Sequence, residues 1–278
     1  MPQVNVFVNM RCSLGEGVYL DLDTNYLYWL DINNSMLFRK KIKNEQNDVE
    51  SFKVGSMPSV ILSVKGDVVI FSERRGIYKF NLITKFCTLL GSSLSSDITC
   101  KMRANDGVKL RSGKYIFGTM SLTAINNKGS LYSYDGMDIS SSEPHITIPN
   151  TFIELDSDVL ISDSAENKIY SYPKSSLLDY KTRQLWWDSN CSNVTPDGGC
   201  LSDDGYIYIA MWGAACIYKF NQSGHLLNKI QIPALQPTNC IISNNKLYVT
   251  SALDGMSEEQ IKQYPLSGSV FEILLEKK

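Results

Sequence analysis

Four oxygen-bearing side chains recur in this chain at a similar spacing, eight to ten residues: Glu16, Asn105, Asn150 and Asp197. Each stands just ahead of a short apolar alternation. Glu16 precedes Tyr26 by ten residues, and the other three precede Gly113, Asp158 and Gly205 by eight. Two carboxylates and two amides make a hard, all-oxygen donor set, suited to one divalent cation such as Ca²⁺, Mg²⁺ or Mn²⁺. Zn²⁺ also remains open, although it favours nitrogen and sulfur. Without a cation, Glu16 and Asp197 would be like charges held close, and one pKa would rise. Turn chemistry explains Asn or Asp before a strand. It does not explain Glu16, because Glu is a poor turn former.

Other chemistries find little support. The chain has two histidines, His145 in "EPHITIP" and His225 in "QSGHLL", both expected at the surface. A Ser-His-Asp or Cys-His set is therefore not indicated. A net charge of −2 gives no nucleic-acid or polybasic membrane footprint. No run approaches the roughly 18 apolar residues of a membrane span, and "MPQVNVFVNMR" lacks the features of a signal peptide. Seven cysteines without a CxxC spacing point to free thiols in a reducing cytoplasm, with at most one disulfide.

The elements that must carry these residues are strands. Six hairpin pairs recur, from "YLYWLDI" with "SMLFRKKI" to "KLYVTSA" with "GSVFEIL". Their first strands begin near Tyr26, Asp67, Gly113, Asp158, Gly205 and Lys246, at steps of 41, 46, 45, 47 and 41 residues. That period predicts an all-β, six-bladed β-propeller. One further alternation before each hairpin predicts the inner strand that lines the central channel. The N-terminal "VNVFV" has no hairpin of its own and should close the ring as the outer strand of the last blade. Residues 1–278 then form one domain. The segment 43–48 reads as a polar loop, and 256–264 as an insertion with a helical turn. Equivalent positions in different blades converge on the axis, which brings the four oxygen-bearing residues to one end of the channel.

At these positions the chain resembles the senescence marker protein/gluconolactonase/luciferin-regenerating-enzyme family, which includes regucalcin. The resemblance runs in order through "LGEG" at 14–17, "LYWLDI" at 27–32, "RANDG" with "FGTM" at 103–120, "PN" with "ISDS" at 149–164, "PDGG" with "AMWG" at 196–213, and "PTNC" with "LYVTSA" at 237–252. It implies a six-bladed propeller with one divalent metal at the channel mouth. Matched residue by residue, it implies that Glu16, Asn150 and Asp197 ligate the metal and that Asp197 acts as general base. It implies that Arg103 and Asn105 contact substrate. The activity implied is opening of a sugar-acid lactone, or hydrolysis of an organophosphate.

Two departures qualify that expectation. Thr151 stands where the family usually has Gly, and Leu122 where many lactonases carry an acid. An apolar residue at 122 would weaken recognition of a polyhydroxylated ring. The alternatives are therefore a non-catalytic calcium- or ligand-binding propeller, or a hydrolase of non-sugar esters or phosphotriesters. Trp212 is read either as a pocket wall or as packing between blades, and Trp29, Trp186 and Trp187 as packing. Asp106 is expected to fix the turn beneath Asn105, and Asp163 to brace its hairpin. Residues 10–15 and 121–128 are the expected lids. Oligomeric state is not legible.

Overall fold

The computed structural model describes residues 2–43, 48–92, 101–190 and 194–275. Most of the 43–48 loop, Cys100 and Cys191 lie outside the described residues. Six four-stranded antiparallel sheets form the blades of a β-propeller. Their innermost strands are Gly15–Asp21, Val60–Lys65, Met102–Lys109, Pro149–Glu154, Thr195–Leu201 and Gln236–Ser243. Each packs against the inner strand of the next blade around the ring. In blades one to five the remaining three strands follow in sequence order.

Blade six is assembled from both ends of the chain. Its order is Gln236–Ser243, Lys246–Ala252, Val270–Leu274 and then the N-terminal Gln3–Val8, with Gln3 opposite Leu274. The closure read from "VNVFV" is therefore present. Deleting residues 2–8 should bare the edge of Val270–Leu274, lower the unfolding midpoint by about 5 °C or more, and promote self-association through that edge. Calorimetry and size-exclusion chromatography measure the two effects.

Alternation along the strands places the core between blades, and each blade boundary holds its own apolar cluster. Tyr28, Leu30, Phe71 and Phe80 fill the boundary of blades one and two, and Ala210, Ile217, Val249 and Phe271 that of blades five and six. Trp29 is fully buried and stacks on Phe38 at 5.6 Å. Trp186 and Trp187 of blade four each lie 5.4 Å from Phe220 of blade five. These three indoles pack as expected. The insertion in blade six contains a helix, Glu258–Gln263, with Ser257 as a capping box.

His145 departs from its expected place at the surface. It is buried, with its ring stacked on Tyr180 at 4.7 Å and Nδ1 2.8 Å from the Glu143 carbonyl. The segment after the third strand of blade four folds over it, which no local pattern around "EPHITIP" signals. Burial lowers its pKa, so it is a neutral packing residue. His225 is exposed, as expected. Among the described cysteines all are free thiols, and Cys12, Cys216 and Cys240 are buried. Cys200 and Cys240 face each other with Sγ atoms 4.0 Å apart.

Candidate functional site

The inner strands are not regular, and their irregularity aims the site residues. Each has a register shift: between Glu16 and Tyr19, Ile61 and Ser63, Ala104 and Gly107, Asn150 and Ile153, Pro196 and Gly199, and Pro237 and Asn239. A bulge turns one side chain out of the pleat. Glu16, Asn105, Asn150 and Asp197 therefore stand at bulges within the inner strands, rather than ahead of them as the spacing had suggested. Ladder pairs such as Gly15 with Asp31 and Pro149 with Asp163 extend the strands upstream through residues whose composition reads as turn.

A carboxylate clamp fixes the entry to several of these strands. In blade one, Asp31 accepts the N–H groups of Ser13 at 2.9 Å and Leu14 at 3.2 Å. In blade four, Asp163 accepts those of Thr147 at 2.8 Å and Ile148 at 3.0 Å. Asp163 thus braces its hairpin, as read from the sequence. In blade two, Glu73 takes the N–H of Ser56.

The channel mouth opens into a pocket of about 490 Å³, within the usual range for small-molecule sites. Glu16, Arg103, Asn105, Asn150, Asp197 and Trp212 all line it. Every site residue expected from the sequence is thus gathered in one cavity. Leu14, Ile32, Met120 and Ile148 add apolar surface beside these polar side chains. Trp212 is half-buried, which suits a wall. Leu122 is 40% exposed and does not line the cavity; of the two expected lid segments, 10–15 reaches its edge through Leu14, whereas no residue of 121–128 lines it.

Hydrogen bonds set the orientation of the floor. Arg103 Nη1 donates to the Asn105 Oδ1 at 2.6 Å and to the Ala104 carbonyl at 2.9 Å. Asn105 Nδ2 donates to the Asn150 Oδ1 at 2.8 Å and to the Pro149 carbonyl at 2.9 Å. Asn150 Nδ2 in turn donates to the Ser164 Oγ at 2.9 Å. Asn105 therefore spends its oxygen on Arg103 and acts as a bridge. Asn150 Oδ1 also accepts one hydrogen bond, but from a neutral amide rather than a guanidinium, so it keeps a lone pair to face a cation together with the Glu16 and Asp197 carboxylates.

Charge makes the strongest case for such a cation. Glu16, Asp106, Asp197 and Arg103 are all buried. Burial, with the charge of Asp106, pushes the Glu16 carboxyl up to about 8. Burial, with the charges of Glu16 and Asp106, pushes Asp197 well above the carboxylate range. Burial raises Asp106 to about 6. Burial also pushes Arg103 down to about 10, opposed by Glu16, Asp197 and Asp254. Three buried carboxylates, with Asp254 also lining the pocket, against one guanidinium leave the site net negative when all are ionised. That excess suits a divalent cation, and the oxygen donors are of the type Ca²⁺, Mg²⁺ and Mn²⁺ prefer. The residues present therefore fit the ion. Among the described residues no three His, Cys, Asp or Glu side chains converge as a ready metal cage; the donors here are two carboxylates and an amide.

The family model described as "SMP-30/Gluconolactonase/LRE-like region" matches residues 14–253. The chain belongs to this family. It is 26% identical to regucalcin of Gallus gallus over 95% of this chain and 91% of that protein. It is 25% identical to a putative sugar lactone lactonase of Rhizobium meliloti (strain 1021), covering 96% and 91% of the two chains. A solved structure of the calcium-binding protein regucalcin from Agrobacterium tumefaciens str. C58 matches with a TM-score of 0.88 at 22% identity, over 98% of this chain and 95% of that one. That likeness extends to the six-bladed fold.

Three participants escaped the sequence reading, and a fourth, Asp106, was read only as a turn residue. Asp106 does hold its turn, accepting the Gly107 N–H at 2.8 Å, but its buried charge also acts on Glu16 and Asp197. Asp254 lines the pocket from the loop after Ala252, tethered by Asn33 at 2.9 Å. Ser164 holds Asn150 as described. Asn239 reaches Glu16 Oε2 at 3.5 Å from the blade-six bulge. The tripeptide Pro237-Thr238-Asn239 repeats the Pro149-Asn150 and Pro196-Asp197 pattern one residue out of step, a signal that could have found it. Gly198 packs against it, and an added Cβ would stand 2.3 Å from Asn239 Cγ. Gly198→Ala should thus displace Asn239 and destabilise the fold by about 1–3 kcal/mol, measured by denaturant unfolding.

Proposed function

We propose that this chain is a divalent-metal-dependent hydrolase that opens a lactone, with Glu16, Asn150 and Asp197 holding the cation and Asp197 acting as general base. The observation that carries this reading is the meeting of two unneutralised buried carboxylates and a fixed amide oxygen, from blades one, four and five, in one small-molecule pocket. The name of the Rhizobium meliloti relative, a putative sugar lactone lactonase, supports the reaction class.

A divalent cation bound there would polarise the substrate carbonyl and stabilise the developing oxyanion. The chain's own residues supply the rest. Asp197, ionised when a cation is held beside it, takes a proton from the attacking water. Arg103, locked by Asn105 and the Ala104 carbonyl through Nη1, keeps its other nitrogens for substrate oxygens. Asn105 fixes Arg103 relative to Asn150. Trp212 packs against Leu14 and Ile32 and with them lines the pocket with apolar surface. We read residues 1–278 as one catalytic domain. The free described thiols favour a reducing cytoplasm. Among the described residues no helix is long and apolar enough to cross a membrane.

The apolar lining residues, Leu14, Ile32, Met120, Ile148 and Trp212, favour a second substrate class, a non-sugar ester or phosphotriester, hydrolysed by the same residues. A panel of sugar lactones, aliphatic lactones, an aryl ester and a phosphotriester, each with Ca²⁺, Mg²⁺, Mn²⁺ or Zn²⁺, tests the reading by acid release. Turnover with at least one pair is expected. Saturable binding without turnover across the panel would instead identify a calcium- or ligand-binding propeller.

A further inference from the structure

We propose that Thr151 is a positioning residue whose hydroxyl fixes the backbone that presents Asp197. The inference rests on the reading of Asp197 given above. Thr151 follows Asn150 at the blade-four bulge and has no solvent exposure. Its φ is +60°, a left-handed conformation that a β-branched residue rarely adopts. The residue after Glu16 takes the same conformation in blade one, with φ +57°, and there it is glycine. Blade four therefore carries a conformational cost that blade one avoids. Such a cost persists where the side chain has work to do.

The work is a hydrogen bond. Thr151 Oγ1 donates to the backbone carbonyl of Asp197 in the next blade. This contact belongs to a wider pattern. Ser59 Oγ donates to the Ala104 carbonyl at 2.6 Å, just before Asn105. Asn105 Nδ2 donates to the carbonyl just before Asn150. Ser164 Oγ donates to the Pro196 carbonyl at 2.7 Å, just before Asp197. Thr238 Oγ1 donates to the Gly15 carbonyl at 2.5 Å, just before Glu16. Glu16, Asn105, Asn150 and Asp197 thus each have the preceding peptide pegged by a side chain of a neighbouring blade. Asp197 has a second peg, Thr151, on its own carbonyl. That carbonyl lies in the bulge formed by Asp197 and Gly198 between the pairs Pro196–Met211 and Gly199–Ile209, where the ladder is interrupted, so Thr151 supplies a partner there. Two hydroxyls of blade four therefore hold successive peptide groups on either side of the Asp197 Cα. A group that both ligates and accepts a proton tolerates little displacement.

Three substitutions separate the hydroxyl from the backbone effect. Thr151→Ser keeps the hydroxyl, Thr151→Val keeps the shape and loses it, and Thr151→Gly removes both it and the conformational cost. Mn²⁺ binding is measured by calorimetry on chelator-treated protein, alongside the unfolding midpoint without metal and the kcat and KM for any lactone turned over. Loss of an outer partner of a metal ligand should weaken Mn²⁺ binding about tenfold or more in the Val and Gly variants, with Ser close to the parent. kcat should fall in the same two variants, more than KM rises. A residue that only maintained the fold would give the opposite result for Gly, which relieves the backbone and should bind as the parent does. Parent-like binding by Val and Gly overturns the inference and leaves the reading of Asp197 standing. Absence of Mn²⁺ binding by the parent overturns both.

Discussion

Asp197→Asn is expected to reduce lactone turnover by a factor on the order of 10²–10⁴, the usual contribution of a general base, while the propeller stays folded. The expected fold survival has a specific cause. Thr151 and Ser164 hold the backbone carbonyls of Asp197 and Pro196, so neither contact depends on the carboxylate. Asn also removes one of three buried like charges, which favours the metal-free fold. The variant should therefore melt at or above the parent while losing activity. Initial rates at saturating cation and circular dichroism read the two effects. Retained turnover would remove Asp197 from the role of base. Lost activity with lost structure would make the residue a scaffold.

The second large effect concerns pH and the metal-free protein. The Glu16 carboxyl is raised from 4.5 to about 8, and Asp106 from 3.8 to about 6. Asp197 is raised in the same sense. A carboxyl raised on folding binds its proton more tightly in the native state than in the unfolded chain. Its stabilisation is complete below the unfolded value and is lost as pH climbs through the native one. The metal-free protein should accordingly lose stability from about pH 4.5 to about pH 8, with a fall in midpoint on the order of 5–10 °C. Saturating Ca²⁺ or Mn²⁺ should erase most of the fall, because the ion takes the place of the protons. Glu16→Gln should flatten it without metal. A chelated parent whose midpoint holds level across that window would show that burial does not raise these carboxyls on folding.

How far the sequence carried depends on the kind of feature. The six units were legible because strand alternation is local and the period of 41 to 47 residues repeats. Glu16, Asn150 and Asp197 were legible because rotational repetition turns similar spacing into nearness, and all three do line one pocket. Their placement within strands was hidden, since a bulge changes register without changing composition. His145 was misplaced because its cover, Tyr172 and Tyr180, comes from the next blade. Asp106 looked like a turn residue and is one, but its effect on Glu16 and Asp197 depends on burial that no single blade reveals. Thr151 was seen as a departure, yet its bond to Asp197 appears only when blade four meets blade five.

The central claim is that Glu16, Asn150 and Asp197 share one divalent cation on the propeller axis. Anomalous diffraction from crystals soaked in Mn²⁺ tests it most directly. The account predicts a single strong peak within bonding distance of the Glu16 and Asp197 carboxylates and the Asn150 Oδ1, absent in crystals of Asp197→Asn. A featureless pocket at millimolar Mn²⁺, or a peak bound elsewhere in the ring, would contradict it.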